Sequence, residues 1–141
     1  MLGRAEICQL LPHSESMCLL ETVETWNEEE IVCIAHSHRE PGNPLRRGDV
    51  LPAVVGIEYA AQAMGVHGRL VARNRSKPAV GYLVSLRDVM WYAERLDDAP
   101  GPLTIHARRV AGSGNSVLCE FSLNCADAKL VSGRATLFLE K

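Results

Sequence analysis

The stretch LPAVVGIEYAAQAMGVHG, residues 51–68, decides how the chain folds: apart from Glu58 and Gln62 it holds no strongly polar side chain before His67. Nearly every position over four successive turns is apolar or small, the pattern of a helix buried all round. The spacing predicts that helix from Leu51 to about Asn74. Asp49 is a candidate N-cap, and Pro52 suits a first turn in which a missing N–H costs little. At the far end Arg69, Arg73, Arg75 and Lys77 gather where positive charge complements the helix dipole, with Pro78 beyond. A carboxylate carried through such surroundings is either paired with a cation from another element or subunit, or put to chemical use.

Working outward, AEICQLL (5–11) has the spacing of a short helix stopped by Pro12. CLLETVETW (18–26) and EIVCIAHSH (30–38) are rich in β-branched and apolar residues, and the polar run between them supplies the reversal of an antiparallel pair. REPGNPLRRGD (39–49) is a loop by its proline and glycine content. Beyond the helix, AVGYLVSLRDVMWY (79–92), PLTIHARRV (102–110), SVLCEFSLN (116–124) and LVSGRATLFLE (130–140) read as strands separated by short turns. Leu103, Ile105 and Ala107 alternate with Thr104, His106 and Arg108, and Val131, Gly133, Ala135, Leu137 and Leu139 show the same period of two. The expected architecture is α+β, a single domain over residues 1–141 in which one curved antiparallel sheet wraps around one long apolar helix. A single layer leaves part of that helix and a sheet edge bare, so a second copy is expected to cover them as a homodimer.

The composition excludes several classes. A formal net charge of -2 lacks the basic excess of a nucleic-acid binder. The five cysteines include no C-x-x-C pair, which fits neither a disulfide framework nor a structural zinc site and points to a reduced, cytoplasmic setting. No run is apolar enough to span a membrane, since Glu58 and Gln62 interrupt the longest. His36 and His38 form an H-x-H pair, but no third ligand is spaced to complete a metal site.

Pro52-Ala53-Val54-Val55-Gly56-Ile57-Glu58-Tyr59-Ala60-Ala61-Gln62 resembles the P-G-V-L and L-x-x-E-A-x-A-Q motifs of β-hydroxyacyl-(acyl-carrier-protein) dehydratases of the hot-dog fold, with Glu58, Ala61 and Gln62 in register. His38-Arg39-Glu40-Pro41-Gly42-Asn43-Pro44 resembles their H-F-P-G-x-P stretch with one extra residue, and Leu11-Pro12-His13 resembles their N-terminal segment. The wording G-I-E-Y-A-A-Q-A is similar to the dehydratase-like proteins of aryl-polyene gene clusters. Ala53 stands where the family has glycine, and Tyr59 where it has a small residue. The resemblance implies dehydration of a 3-hydroxyacyl thioester of fatty-acid or aryl-polyene type. The substrate would be carried on the phosphopantetheine of an acyl carrier protein or on coenzyme A, with no other cofactor. His38 would be the base and Glu58 the acid, meeting across a dimer interface.

The residue chemistry suits that reaction. A neutral imidazole can take the C2 proton, and a carboxyl held among apolar groups keeps more of the protonated form needed to donate to the departing hydroxyl. The thioester oxygen becomes negative meanwhile, and the N–H groups near Pro52 to Gly56 are expected to face it. Pro52, Ala53, Gly56, Gln62 and His36 are the candidate substrate-binding residues, with Gln62 one turn beyond Glu58 on the same face. Arg69, Arg73, Arg75 and Lys77 are candidates for contact with an acidic carrier or its phosphate, or form a solvated helix end. His36 and His38 compete for the role of base, and His13 and His67 read as structural. Two other functions fit the residues: a hot-dog thioesterase whose carboxylate activates water, and a non-catalytic acyl-binding subunit of a heterodimeric dehydratase.

Overall fold

Among the described residues, six strands form one sheet in the order β1-β2-β4-β5-β6-β3, every neighbouring pair antiparallel. The computed structural model describes residues 1–11, 17–74, 80–113 and 115–140. A short helix α1 (Arg4–Leu10) precedes β1 (Thr22–Trp26) and β2 (Glu30–Ala35); the long helix α2 (Gly56–Asn74) follows, and then β3 (Val80–Trp91), β4 (Leu103–Ser113), β5 (Ser116–Cys125) and β6 (Ala128–Glu140). This is the expected α+β hot-dog arrangement.

The period of two in the strands decides which face receives the helix. Along β5, Val117, Cys119, Phe121, Leu123 and Cys125 are buried while the residues between them are partly exposed. Their neighbours Leu103, Ile105 and Ala107 on β4 and Val131, Ala135 and Leu137 on β6 complete one apolar surface. Against it α2 packs Tyr59, Ala60, Ala63, Met64, Val66 and Leu70 in a single core. Ile57, Glu58, Ala61, Gly65 and Arg69 are only half-buried. From Glu58 on, their spacing of three or four residues marks one stripe of the helix that the sheet leaves uncovered. Burial is therefore not all round, and Glu58 stands near the N-terminal end of the open stripe.

Two glycines set how closely the layers approach. A Cβ on Gly56 would lie 3.1 Å from Val131 Cγ2 and 3.3 Å from Leu123 Cδ2, so the missing side chain lets the start of α2 rest on β5 and β6. Gly133 is tighter: a Cβ there would meet Phe121 Cζ at 2.8 Å and Val89 Cγ2 at 3.2 Å, because the Phe121 ring lies across the gap. Overpacking of this kind typically costs about 1–3 kcal/mol. Gly133→Ala is expected to lower stability by that amount, read as a lower urea midpoint with an unchanged slope.

Three boundaries differ from those expected. Sheet pairing in the first hairpin begins at Thr22 rather than near Cys18. Strand β2 stops at Ala35, and Ser37–Arg39 form a 3-10 turn, so His36 and His38 do not share a strand face. The long helix opens with a 3-10 turn at Ala53–Val55 capped by Pro52, not by Asp49. Among the described residues no helix is long and apolar enough to cross a membrane. Cys33 and Cys119 are small core residues whose thiols burial pushes up to about 12 and about 11.

Candidate active site

The 3-10 turn after β2 separates the two histidines. His36 is exposed, whereas His38 is completely buried. His38 Nε2 lies 3.2 Å from the Ala99 carbonyl oxygen, which can only accept, so Nε2 carries the proton and Nδ1 presents a bare lone pair. Nδ1 is buried, with no hydrogen-bond partner among the described residues. Burial holds the imidazole below its ordinary pKa, against the opposing pull of the Ala99 and Gly101 backbone, and the nearby Arg39 charge lowers it further. Burial thus favours the neutral form of the ring.

The loop that supplies Ala99 is tied to the approach to α2. Leu51 N–H donates to Asp97 Oδ1 at 2.8 Å, Leu96 N–H to the Leu51 carbonyl at 2.8 Å, and Ala53 N–H to the Glu94 carbonyl at 2.9 Å. Arg39 Nη1 also reaches the Ala99 carbonyl, at 3.1 Å, and Arg46 Nη2 the His38 carbonyl, at 3.2 Å. Arg95 grips the Asp97 carboxylate through Nε, 3.1 Å from each oxygen, and through Nη2. That grip, opposed by burial and aided by the Leu51 N–H, holds the carboxyl at about 2 against its ordinary 3.8. A depressed carboxyl stabilises the fold above its unfolded value and loses that contribution as pH falls through its folded one. Between pH 4 and 2 the wild type is therefore expected to lose thermal stability more steeply than Asp97→Asn, a difference read from melting points across that range.

Glu58 is half-buried and accepts from Gln62 Nε2 at 3.3 Å. Gln62 is almost fully buried, and its amide is further engaged: Nε2 donates to the Met17 carbonyl at 2.8 Å, and Oε1 accepts from Leu19 N–H at 2.9 Å. It therefore fastens the segment before β1 to α2 while orienting the carboxylate. The oxyanion site expected near Pro52 to Gly56 is largely closed. Ala53 N–H is given to Glu94, Val55 N–H to the Pro52 carbonyl, and Gly56 N–H to the Ala53 and Val54 carbonyls. The 3-10 turn consumes donors that a helix starting at Leu51 would have left free. Gly56 makes its close approach to the sheet, and Pro52 is half-buried beside it.

A second network, unforeseen in the sequence, links the two candidate catalytic segments. Ser37 Oγ donates to the Leu19 carbonyl at 2.7 Å and lies 2.8 Å from the hydroxyl of fully buried Tyr59. Since a carbonyl cannot donate, Ser37 spends its proton on Leu19, and Tyr59 donates to Ser37. Asn43 Nδ2 donates to the Tyr59 hydroxyl at 3.1 Å and to the Ser37 carbonyl at 2.9 Å, while its Oδ1 accepts from Leu45 N–H. Ser37 precedes His38 and Tyr59 follows Glu58. The only sequence signal was Tyr59 itself, a large residue where the resembling family has a small one.

Of the other candidates, Arg69 is half-buried and Arg73 exposed; Arg75, Lys77 and His13 lie outside the described residues. Arg73 lines an open groove with Met1, Leu2, Trp26 and Leu70. His67 is buried against the Asn27 carbonyl at 2.7 Å, and burial lowers its pKa. His106 is paired with Glu30 at 3.1 Å.

One antiparallel sheet wrapped around one long helix is the hot-dog fold. A family model described as ApeP-like, ApeP dehydratase, matches residues 5–140, and the chain belongs to that family. Among solved structures, the dehydratase heterocomplex ApeI:P from Xenorhabdus doucetiae matches with TM-score 0.84 at 24% identity, covering 96% of this chain and 91% of that one. A thioesterase from Haemophilus influenzae, HI1161, matches with TM-score 0.71 at 14% identity over 100% of this chain and 92% of its own. A hypothetical thioesterase from Streptococcus pneumoniae, solved with coenzyme A, matches with TM-score 0.63 at 12% identity over 84% of both chains. No curated protein matches the sequence.

Proposed function

We propose that this chain is a subunit of a dehydratase acting on 3-hydroxyacyl thioesters delivered by an acyl carrier protein, its active site completed by a second hot-dog chain. The observation that carries this reading is the state of His38: one nitrogen committed to Ala99, the other a bare lone pair on a ring held neutral. Nδ1 takes the C2 proton of the substrate, and Glu58, oriented by Gln62, gives a proton to the departing C3 hydroxyl. Water leaves and the enoyl thioester remains. No metal or redox group takes part in this scheme. Arg69 and Arg73 stand roughly 16 and 22 Å along α2 from Glu58, from the helical rise, and would receive the acidic carrier while its arm reaches inward. A heterodimer is preferred to a homodimer because a similar fold is found in the ApeI:P heterocomplex.

A second reading is favoured by the same residue. His38 is sealed within its own chain, and docking a partner can only cover it further. In that reading the chain supports a catalytic partner and binds the acyl group without turning it over. The test is incubation of a 3-hydroxyacyl carrier thioester with the chain alone and with a second hot-dog subunit from the same gene neighbourhood, following water loss and free thiol together. Water loss from the pair that disappears with His38→Asn in this chain supports the first reading. Water loss indifferent to that substitution supports the second, and thiol release indicates a thioesterase.

A further inference from the structure

We infer that Tyr59 is a positioning residue for His38, acting through the Ser37 hydroxyl. This rests on the reading of His38 as base, but its primary test does not. Four observations carry it. Tyr59 is fully buried on α2, directly after Glu58. Its hydroxyl donates to Ser37 Oγ at 2.8 Å, and Ser37 lies in the same three-residue 3-10 turn as His38. Ser37 is held from behind by the Leu19 carbonyl, and that segment is bonded to the same helix through Gln62. Asn43 closes the ring by donating to both the Tyr59 hydroxyl and the Ser37 carbonyl.

The backbone beside His38 is therefore fixed to the backbone beside Glu58 by side chains within one chain, whichever copy's groups meet across the substrate. A turn of three residues has little stiffness of its own, and its imidazole is anchored through Nε2 to a loop carbonyl. Without the tyrosine hydroxyl, Ser37 Oγ loses its donor and Asn43 Nδ2 one of its acceptors, so the turn is held only by Leu19, Asn43 and Arg46 and loosens; small misplacements of a catalytic group can cost up to about 100-fold in rate. A buried hydroxyl with both donor and acceptor capacity used specifies one geometry, which phenylalanine of nearly the same volume cannot do.

The test uses the full chain with ¹⁵N-labelled histidine, comparing wild type, Tyr59→Phe, Ser37→Ala and the double variant. The wild-type His38 ring is expected to show a single tautomer, protonated on Nε2. Each single variant is expected to move it toward the averaged signal of a freely tautomerising ring, and the double variant no further, because both remove the same link. Should Tyr59→Phe fail to fold, Ser37→Ala alone decides the matter. An unchanged His38 signal in a folded variant overturns the inference. In the assembled dehydratase the same variants are expected to lower kcat about 10-fold or more with KM nearly constant. A displaced ring with an unchanged kcat would leave the positioning role standing and remove His38 from the chemistry, so the two failures are distinguishable.

Discussion

Glu58→Gln, measured in the assembled dehydratase, is expected to lower the rate of water loss by about 10²–10⁴-fold with little change in KM. The amide matches the carboxyl in size and can still meet Gln62 across 3.3 Å, so the helix and its half-open stripe should survive the change. In the proposed scheme, what disappears is the capacity to hand a proton to the departing hydroxyl. His38→Asn is expected to have an effect of the same order by removing the proton acceptor. The sign of the pH dependence follows from burial. A base must be unprotonated, and His38 is held below the ordinary imidazole value, so activity should persist to a lower pH than a solvated histidine would allow. Glu58→Gln at full rate would remove the carboxylate from the reaction.

The parts of the molecule legible in the sequence are those fixed by local periodicity. Alternation placed Leu103, Ile105, Ala107, Val131 and Ala135 on the inner face, and the apolar run read as a helix from Leu51 to about Asn74 is one from Gly56 to Asn74. The 3-10 turn was not legible, because EIVCIAHSH continues a plausible strand pattern and nothing near Ala35 marks its end. That end is set by partners 18 to 61 residues away: Leu19 and Tyr59 for Ser37, and Ala99 for His38. The start of α2 was misread for the same reason. Asp49 looked like a cap, but the N–H groups of Leu51 and Ala53 are satisfied by Asp97 and Glu94 from a loop after β3, closing the site expected to hold an oxyanion. Glu58 stood out because an acid in an apolar helix is anomalous on local grounds. Tyr59, whose work is done by its hydroxyl in a long-range network, stood out only as a large residue where the resembling family has a small one.

Leu86→Lys combined with Met90→Lys is expected to leave a folded chain that no longer retains its second subunit. Strand β3 forms an outer edge of the sheet over 12 residues, so one side of its backbone has no strand partner among the described residues. Long edges are usually blunted by charge, proline or shortness, because they template pairing with other chains. The opposite edge, β1, has five residues. On β3 and just beyond, Leu83, Leu86, Met90, Trp91 and Tyr92 are exposed, Leu86 beside Ala135 on the helix side of the sheet and Met90 beside Ser132 on the other, so apolar side chains stand on both faces of this edge. Arg87 and Asp88 sit within its irregular stretch, where Asp88 takes a positive φ of 53°. A partner that pairs with this edge covers both of its faces, and one ammonium group placed on each would cost about 2 kcal/mol or more, together a roughly thousandfold weaker association. Sedimentation of the variant with its partner subunit reads this directly, and dehydration should fall in step with the lost complex. Association undiminished by both lysines would move the interface off β3, and the completion of the active site would then have to come from the uncovered stripe of α2 alone.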